Sequence, residues 1–320
     1  MGTPEFATHS LRACFDVGEV VAVVTQPDKP KGRGQELAPP PVKVLAQERG
    51  VEVLQPPKLK QQNFGEVLRR YRPDVTVVTA YGKILPRDVL QAARRGAVNV
   101  HASLLPRWRG AAPIQWAIAE GDEKTGVCLM QMDEGLDAGA VISCAEIPIA
   151  PTDTSATLHD KLAVLGGDLL RRDLRRYVDG ELVATPQPAE GVTLARIIQK
   201  EDGRIDFTRP AEVIERRLRA FTPWPGAFTW LKEPDGRRIL FKVHRAAAFP
   251  DRPEGAAPGA ILPSAPGTLE VACGTGRLAL LEVQPEGRRR MTAAEFLSGR
   301  RLEPGTAPFA DAPSDGGPTP

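Results

Sequence analysis

Short apolar runs that alternate with helix-forming stretches constrain the fold of this chain more than any other feature. EVVAVVTQPD, VEVLQP, DVTVVTAYG and AVNVHAS each hold a few consecutive β-prone residues and end in turn formers. Between them lie PPPVKVLAQERG, QQNFGEVLRRYRP and ILPRDVLQAARRG, which carry apolar residues at helical spacing and close on Gly or Pro. Continuous apolar strands alternating with helices of roughly ten residues predict an α/β domain whose mostly parallel sheet is covered on both faces.

The pattern changes after AAPIQWAIAEG. GVCLMQMDEGLDAGAVISCAEI reads as two strands around a Gly and Asp turn, and TSATLHDKLAVLGGDLLRRDLRRYVDG reads as one long amphipathic helix. Residues 182–199, with two prolines and mixed polarity, serve as a linker after a first domain of residues 1–181. A helix at AEVIERRLRAF and several short strands between Gly and Pro turns predict a small β-barrel domain over 200–305. Residues 306–320 are too poor in apolar side chains to pack and read as a disordered tail. A chain of 320 residues with 42% apolar composition suits two domains.

Cys14, Cys128, Cys144 and Cys273 form no CxxC pair, so they read as small apolar residues in a reducing compartment. No metal is called for, because no metal-ligand spacing is present. With neither a membrane-length apolar run nor a signal peptide, the expectation is a cytoplasmic protein without membrane contact. A net charge of +2 does not by itself argue for nucleic acid, so the placement of the basic residues matters more.

Three clusters carry chemical potential. In NVHASLLPRWRG, strand alternation puts Asn99 and His101 on one side at a strand's C-terminal end, where open parallel sheets bind ligands. Polar residues marking the strand's exit are the competing reading. In MDEGLDAGAVI, Asp133, Glu134 and Asp137 crowd a Gly-rich turn; a carboxylate from it that folds back to His101 would orient the ring. QPDKPKGRGQELAPPP sets Lys29, Lys31 and Arg33 among glycines and prolines, as a solvated loop or as a basic arm for a phosphate-bearing partner. Neither a P-loop nor a GxGxxG dinucleotide fingerprint is present.

GTPEFA, TQPDKPKGRG, PVKVLA, TAYGKILP, NVHASLLPRWRGAAPIQWAI, GDEKTGVCLMQMDEGLDAGAVI, KEDGRIDF and RAFTPWPGAF occur in one order across residues 2 to about 303. In these stretches the chain resembles the folate-dependent formyltransferases, and the basic loop and RAFTPWPGAF point to the branch acting on charged tRNA. The resemblance implies a Rossmann-like domain followed by an OB-like barrel. It implies transfer of a formyl group from 10-formyltetrahydrofolate, the donor substrate, to the methionyl amino group of initiator tRNA, by a monomer. The implied catalytic trio is Asn99, His101 and Asp137. The implied folate site is Ser103, Leu104, Leu105 and Pro106 with Tyr81, Gly82, Ile84 and Leu85, and the implied tRNA contacts are Lys29, Lys31 and Arg33, Arg33 foremost. Two alternatives stand beside it: a formyltetrahydrofolate hydrolase or sugar-amine formyltransferase, which would have no use for the basic loop, and a non-catalytic RNA-binding protein, which would not need the trio.

The opening MGTPEF has Thr3 as a helix N-cap, Pro4 at the first helical position and Glu5 in the first turn. The family pattern places a central apolar strand directly before this turn. Burying about five large apolar residues is worth around 10 kcal/mol, comparable to a domain's whole net stability. The expectation is therefore that Met1 is an internal methionine of a longer protein.

Overall fold

The computed structural model describes residues 1–31, 36–59, 63–300 and 302–310. Among them the chain forms two compact units. The first comprises Met1–Ile114, Lys124–Ile149 and Thr157–Arg196, and the second Gln115–Glu123, Ala150–Ala156 and Ile197–Pro320. The chain order through residue 196 is α1 (Phe6–Val17), β1 (Val23–Val24), β2 (Lys29–Lys31), β3 (Glu36–Ala38), α2 (Pro41–Glu48), β4 (Val53–Leu54), α3 (Phe64–Arg70), β5 (Thr76–Val78), α4 (Arg87–Leu90), β6 (Ala97–His101), β7 (Arg109–Gly110), α5 (Pro113–Ala119), β8 (Lys124–Gln131), β9 (Val141–Pro148), α6 (Ser155–Asp179) and β10 (Leu194–Ala195).

The alternating pattern yields parallel pairs where helices cross over: β1 with β4, and β5 with β6. The sheet is nonetheless less parallel than the sequence pattern predicts. β8 runs antiparallel to β6, and β9 runs antiparallel to β8, the loop between β8 and β9 being too short to hold a crossover helix. Residues 182–199 are tied down as well. Thr185 bridges to Val141, and β10 pairs in parallel with β7.

Between β1 and β5 stands a single rung. The Gly2 N–H donates to the Val24 carbonyl and the Thr79 N–H to the Met1 carbonyl, while the Met1 amino group donates to the Val77 carbonyl at 2.6 Å. A cavity of about 610 Å³ lies alongside, lined by Val21, Val23, Val75 and Val77 and by Leu11 and Cys14 of α1. Burial there lowers the Met1 amine to about 6. α1 begins at Phe6 with Glu5 at its N-cap, later than the sequence reading placed it. The Thr3 hydroxyl donates instead to the Tyr81 carbonyl at 3.2 Å.

The second unit carries α7 (Ala211–Ala220), β11 (Ala227–Lys232), β12 (Arg238–Phe249), β13 (Leu269–Ala272), β14 (Arg277–Pro285), β15 (Met291–Thr292), α8 (Ala293–Ser298) and β16 (Phe309–Ala310). Its strands form one antiparallel sheet in the order β13-β14-β12-β11-β16, with β15 on β14 and a bulge in β12 between Val243 and Arg245. Leu231, Phe241, Val271, Leu278 and Val283 fill its core with Ile214 and Leu218 of α7. The expected disordered tail needs correcting at Phe309 and Ala310. Phe309 is buried and packs on the rings of Phe207 and Phe241, contacts that supply the apolar burial its own segment lacks.

Two of the four cysteines are not free thiols. Cys128 and Cys144 are registered opposite each other on β8 and β9 and form a disulfide. Sequence spacing cannot show a pair that only strand register creates. Cys14 and Cys273 remain thiols, pushed by burial up to about 11 and about 12.

Candidate active site

β6 delivers Asn99 and His101 to one side of the sheet, since Val98 and Val100 take the alternate positions and are buried. The loop after β8 returns Asp137 to them. Its Oδ1 accepts from the Asn99 side-chain amide at 3.3 Å and its Oδ2 from the Gly110 N–H at 2.9 Å. His101 Nδ1 stands 3.7 Å from that same Oδ2. The three residues that sequence reasoning singled out thus meet.

The other ring nitrogen is held by the loop. His101 Nε2 lies 2.7 Å from the Trp108 carbonyl oxygen, which can only accept, so Nε2 carries a hydrogen and Nδ1 faces Asp137. Ser103 clamps the same turn. Its hydroxyl donates to the Trp108 carbonyl and accepts from the Trp108 N–H, both at 3.0 Å. Fully buried, Ser103 is committed to shaping the loop. That loop contains two cis peptides, Leu105–Pro106 and Arg107–Trp108.

Asp137 holds φ at +48°, a left-handed conformation that Asp and Asn tolerate better than other side chains. Gln187 braces it: its side-chain amide donates to the carbonyls of Asp137 and Gly139, each at 2.8 Å, and its oxygen accepts from Arg109 Nε at 3.0 Å. Sequence reasoning missed Gln187, Gly110 and Trp108. Their roles depend on backbone groups and on a distant segment folding back, neither of which has a local signature.

The remaining predicted residues fall in varied surroundings. Leu104, Leu105 and Pro106 are partly exposed along the loop. Tyr81 is buried, its phenol pushed up to about 12 by that burial and its hydroxyl without a hydrogen-bond partner. Gly82 has φ +76°, and a Cβ there would meet the Gln26 side chain at 2.7 Å. Leu85 packs in the core beneath β5, whereas Ile84 is 89% exposed.

Lys29 and Lys31 lie on β2, which pairs with β3 as an antiparallel hairpin. Lys29 is exposed, and Arg33 lies outside the described residues. The hairpin's base is pinned by Asp28, whose carboxylate accepts from Gln55 at 2.7 Å and Lys43 at 2.8 Å. Those bonds hold that carboxyl below its ordinary range. Among the described residues no cluster of His, Cys, Asp and Glu could hold a metal ion, and no helix is long and apolar enough to cross a membrane.

Comparison with known families gives this geometry its context. Residues 2–174 match the model of the formyl transferase family and residues 197–301 that of the formyl transferase C-terminal domain, so the chain belongs to the formyl transferases. Within them it is 62% identical to the methionyl-tRNA formyltransferase of Myxococcus xanthus, over 97% of this chain and 96% of that protein. It is 46% identical to the methionyl-tRNA formyltransferase of Geobacter sulfurreducens, over 96% and 94% of the respective chains. In fold it is similar to an N-formyltransferase from Helicobacter canadensis, solved with folinic acid and dTDP-3-aminofucose, with a TM-score of 0.64, 16% identity, and 87% and 97% coverage.

Proposed function

We propose that the chain formylates the methionyl amino group of initiator tRNA, taking the formyl group from 10-formyltetrahydrofolate, with Asn99, His101 and Asp137 as its catalytic residues. The meeting of that trio on the exit of β6 carries the reading. Attack of the amine on the formyl carbon creates a tetrahedral oxyanion. Asn99 has a second amide hydrogen beyond the one given to Asp137, and a donor aimed at such an oxygen is worth about 3 kcal/mol. An α-amino group titrates near pH 8, so a useful fraction is already neutral at physiological pH. The costlier proton is the one the departing folate nitrogen must receive; with its Nε2–H held by the Trp108 carbonyl, His101 in its doubly protonated form supplies the Nδ1 proton, directly or through a water.

The relatives' names favour tRNA as acceptor over a sugar amine, and the basic hairpin fits such a partner. We assign Lys29, Lys31 and Arg33 to the tRNA, and Ser103 to Pro106 with Tyr81, Gly82, Ile84 and Leu85 to the folate side, Ser103 by shaping the loop. We further assign residues 1–181 to catalysis, 182–199 to a connecting stretch and 200–305 to an OB-like domain, in a cytoplasmic monomer. The test is formation of formyl-methionyl-tRNA from 10-formyltetrahydrofolate and charged initiator tRNA, with His101→Ala and Arg33→Glu alongside. His101→Ala is expected to lose turnover and Arg33→Glu to weaken tRNA binding in a salt-dependent way. A dTDP-amino sugar formylated in place of the tRNA would overturn the assignment.

A further inference from the structure

Strand register places three side chains of one row on the same sheet face. His101 on β6 is opposite Cys128 on β8, and Cys128 is opposite Cys144 on β9. Directly opposed residues project to one side with Cβ atoms about 4.5–5.5 Å apart. The row therefore runs from the buried imidazole through buried Cys128 to Cys144, which is solvent-exposed. We propose that Cys144 is a modification site for low-molecular-weight thiols, and that Cys128 is the resolving cysteine that clears the adduct from the formyl-transfer site.

The exchange balances. With both cysteines reduced, the Cys144 thiolate attacks one sulfur of a disulfide RSSR, the S–S bond breaks, and RS⁻ leaves to take up the proton that Cys144 lost. Cys128, one strand away, then attacks the Cys144 sulfur, closes the internal disulfide and expels a second RSH. Two thiols are oxidised and one disulfide is reduced to two thiols. First attack is confined to exposed Cys144, since burial raises Cys14 and Cys273 far above the range where thiolates form at neutral pH and Cys128 is buried, reaching only the adduct formed across the ladder.

The site makes the order of events matter. Adjacent strands lie about 4.8 Å apart, so Cys144, two strands away, is about 10 Å from His101 on β6. An extended tripeptide adduct reaches about 10 Å and lies over that face. A persistent adduct blocks the substrate, whereas the internal disulfide leaves the face open. The exchange chemistry rests on the cysteines alone; the loss of rate rests on the reading of Asn99 and His101 given above.

The experiment treats the reduced full-length chain and its Cys128→Ser variant with glutathione disulfide, maps the peptides by mass spectrometry and follows formylation. Cys128→Ser is expected to retain glutathione on Cys144 and to lose about tenfold in rate relative to the same variant untreated, reversibly with dithiothreitol. The unsubstituted chain is expected to end with the internal disulfide, no adduct, and a rate within about twofold of its starting value. Should Cys128→Ser fold poorly, brief alkylation of the reduced unsubstituted chain with iodoacetamide gives a second readout. Cys144 must then react well before Cys14 and Cys273. No adduct at Cys144, no preferential alkylation, or an adduct that leaves the rate unchanged each overturns the proposal. Failure of the site reading is separate and shows as His101→Ala retaining native turnover.

Discussion

Replacing Asp137 separates its structural from its chemical contribution. Its carboxylate accepts from Asn99 at 3.3 Å and Gly110 at 2.9 Å and faces His101 Nδ1 at 3.7 Å. Asp137→Ala strands both donors. An unsatisfied donor costs about 1–3 kcal/mol when buried, but this carboxylate is 16% exposed and water can enter, so about 1–2 kcal/mol of stability in total is expected to go. Catalysis suffers more, because Asn99 and His101 lose the group that aims them. A single misaimed oxyanion donor costs about 100- to 1000-fold, and donors acting as a unit are not additive, so the loss is set at about 1000-fold, or about 4 kcal/mol of transition-state binding. Single-turnover formylation at saturating donor, beside a thermal melt, measures both quantities. A variant that melts lower but formylates within about tenfold of the native rate would refute the aiming role and leave Asp137 as a loop brace.

Two further outcomes follow from other parts of the first unit. On a chain that starts at Met1, the Met1 amine, lowered from 8.0 to about 6 by burial, binds a proton more readily unfolded than folded. Stability therefore rises with pH between about 6 and 8, by about 2–3 kcal/mol, and acetylating that amine should abolish the rise; denaturant melts at pH 6, 7 and 8 check it. Gly139→Ala puts a Cβ 1.8 Å from the Gln131 carbonyl oxygen, at the neck of the loop carrying Asp137. It is expected to cost about 1–3 kcal/mol and to lower turnover although residue 139 is not among the proposed reacting groups, as melts and formylation rates on one preparation would show.

Sequence patterning made the first unit's helices and strands legible because each carries its own period. AVNVH announces β6, and alternation alone sets Asn99 and His101 on one side. Pairing direction was less legible, since nothing in GVCLMQ distinguishes the antiparallel β8 from a parallel strand. The disulfide followed the same rule: Cys128 and Cys144 are 16 residues apart in the chain, and only the ladder brings them together. Phe309 was misread because its segment is apolar-poor, while the pocket made by Phe207 and Phe241 comes from elsewhere. Gln187 sits in what reads as a linker, and its task is visible only once the carbonyls of Asp137 and Gly139 are in place.

Asp137 also shows why a charge stands where shape alone would accept less. At φ +48° the position admits Asn as readily as Asp, and an Asn oxygen could still accept from the Gly110 N–H. The amide would then turn its own N–H₂ toward the donor from Asn99, and nothing negative would face the imidazole. With the Asn99 amide turned so that its oxygen accepts from that N–H₂, Asp137→Asn is therefore expected to keep its stability within about 0.5 kcal/mol of native while losing turnover nearly as Asp137→Ala does, a split that hydrogen-bond count alone cannot produce. Native turnover in Asp137→Asn would mean that the carboxylate's charge is idle and that the loop, held by Gln187 and Gly110, needs only an oxygen at that point.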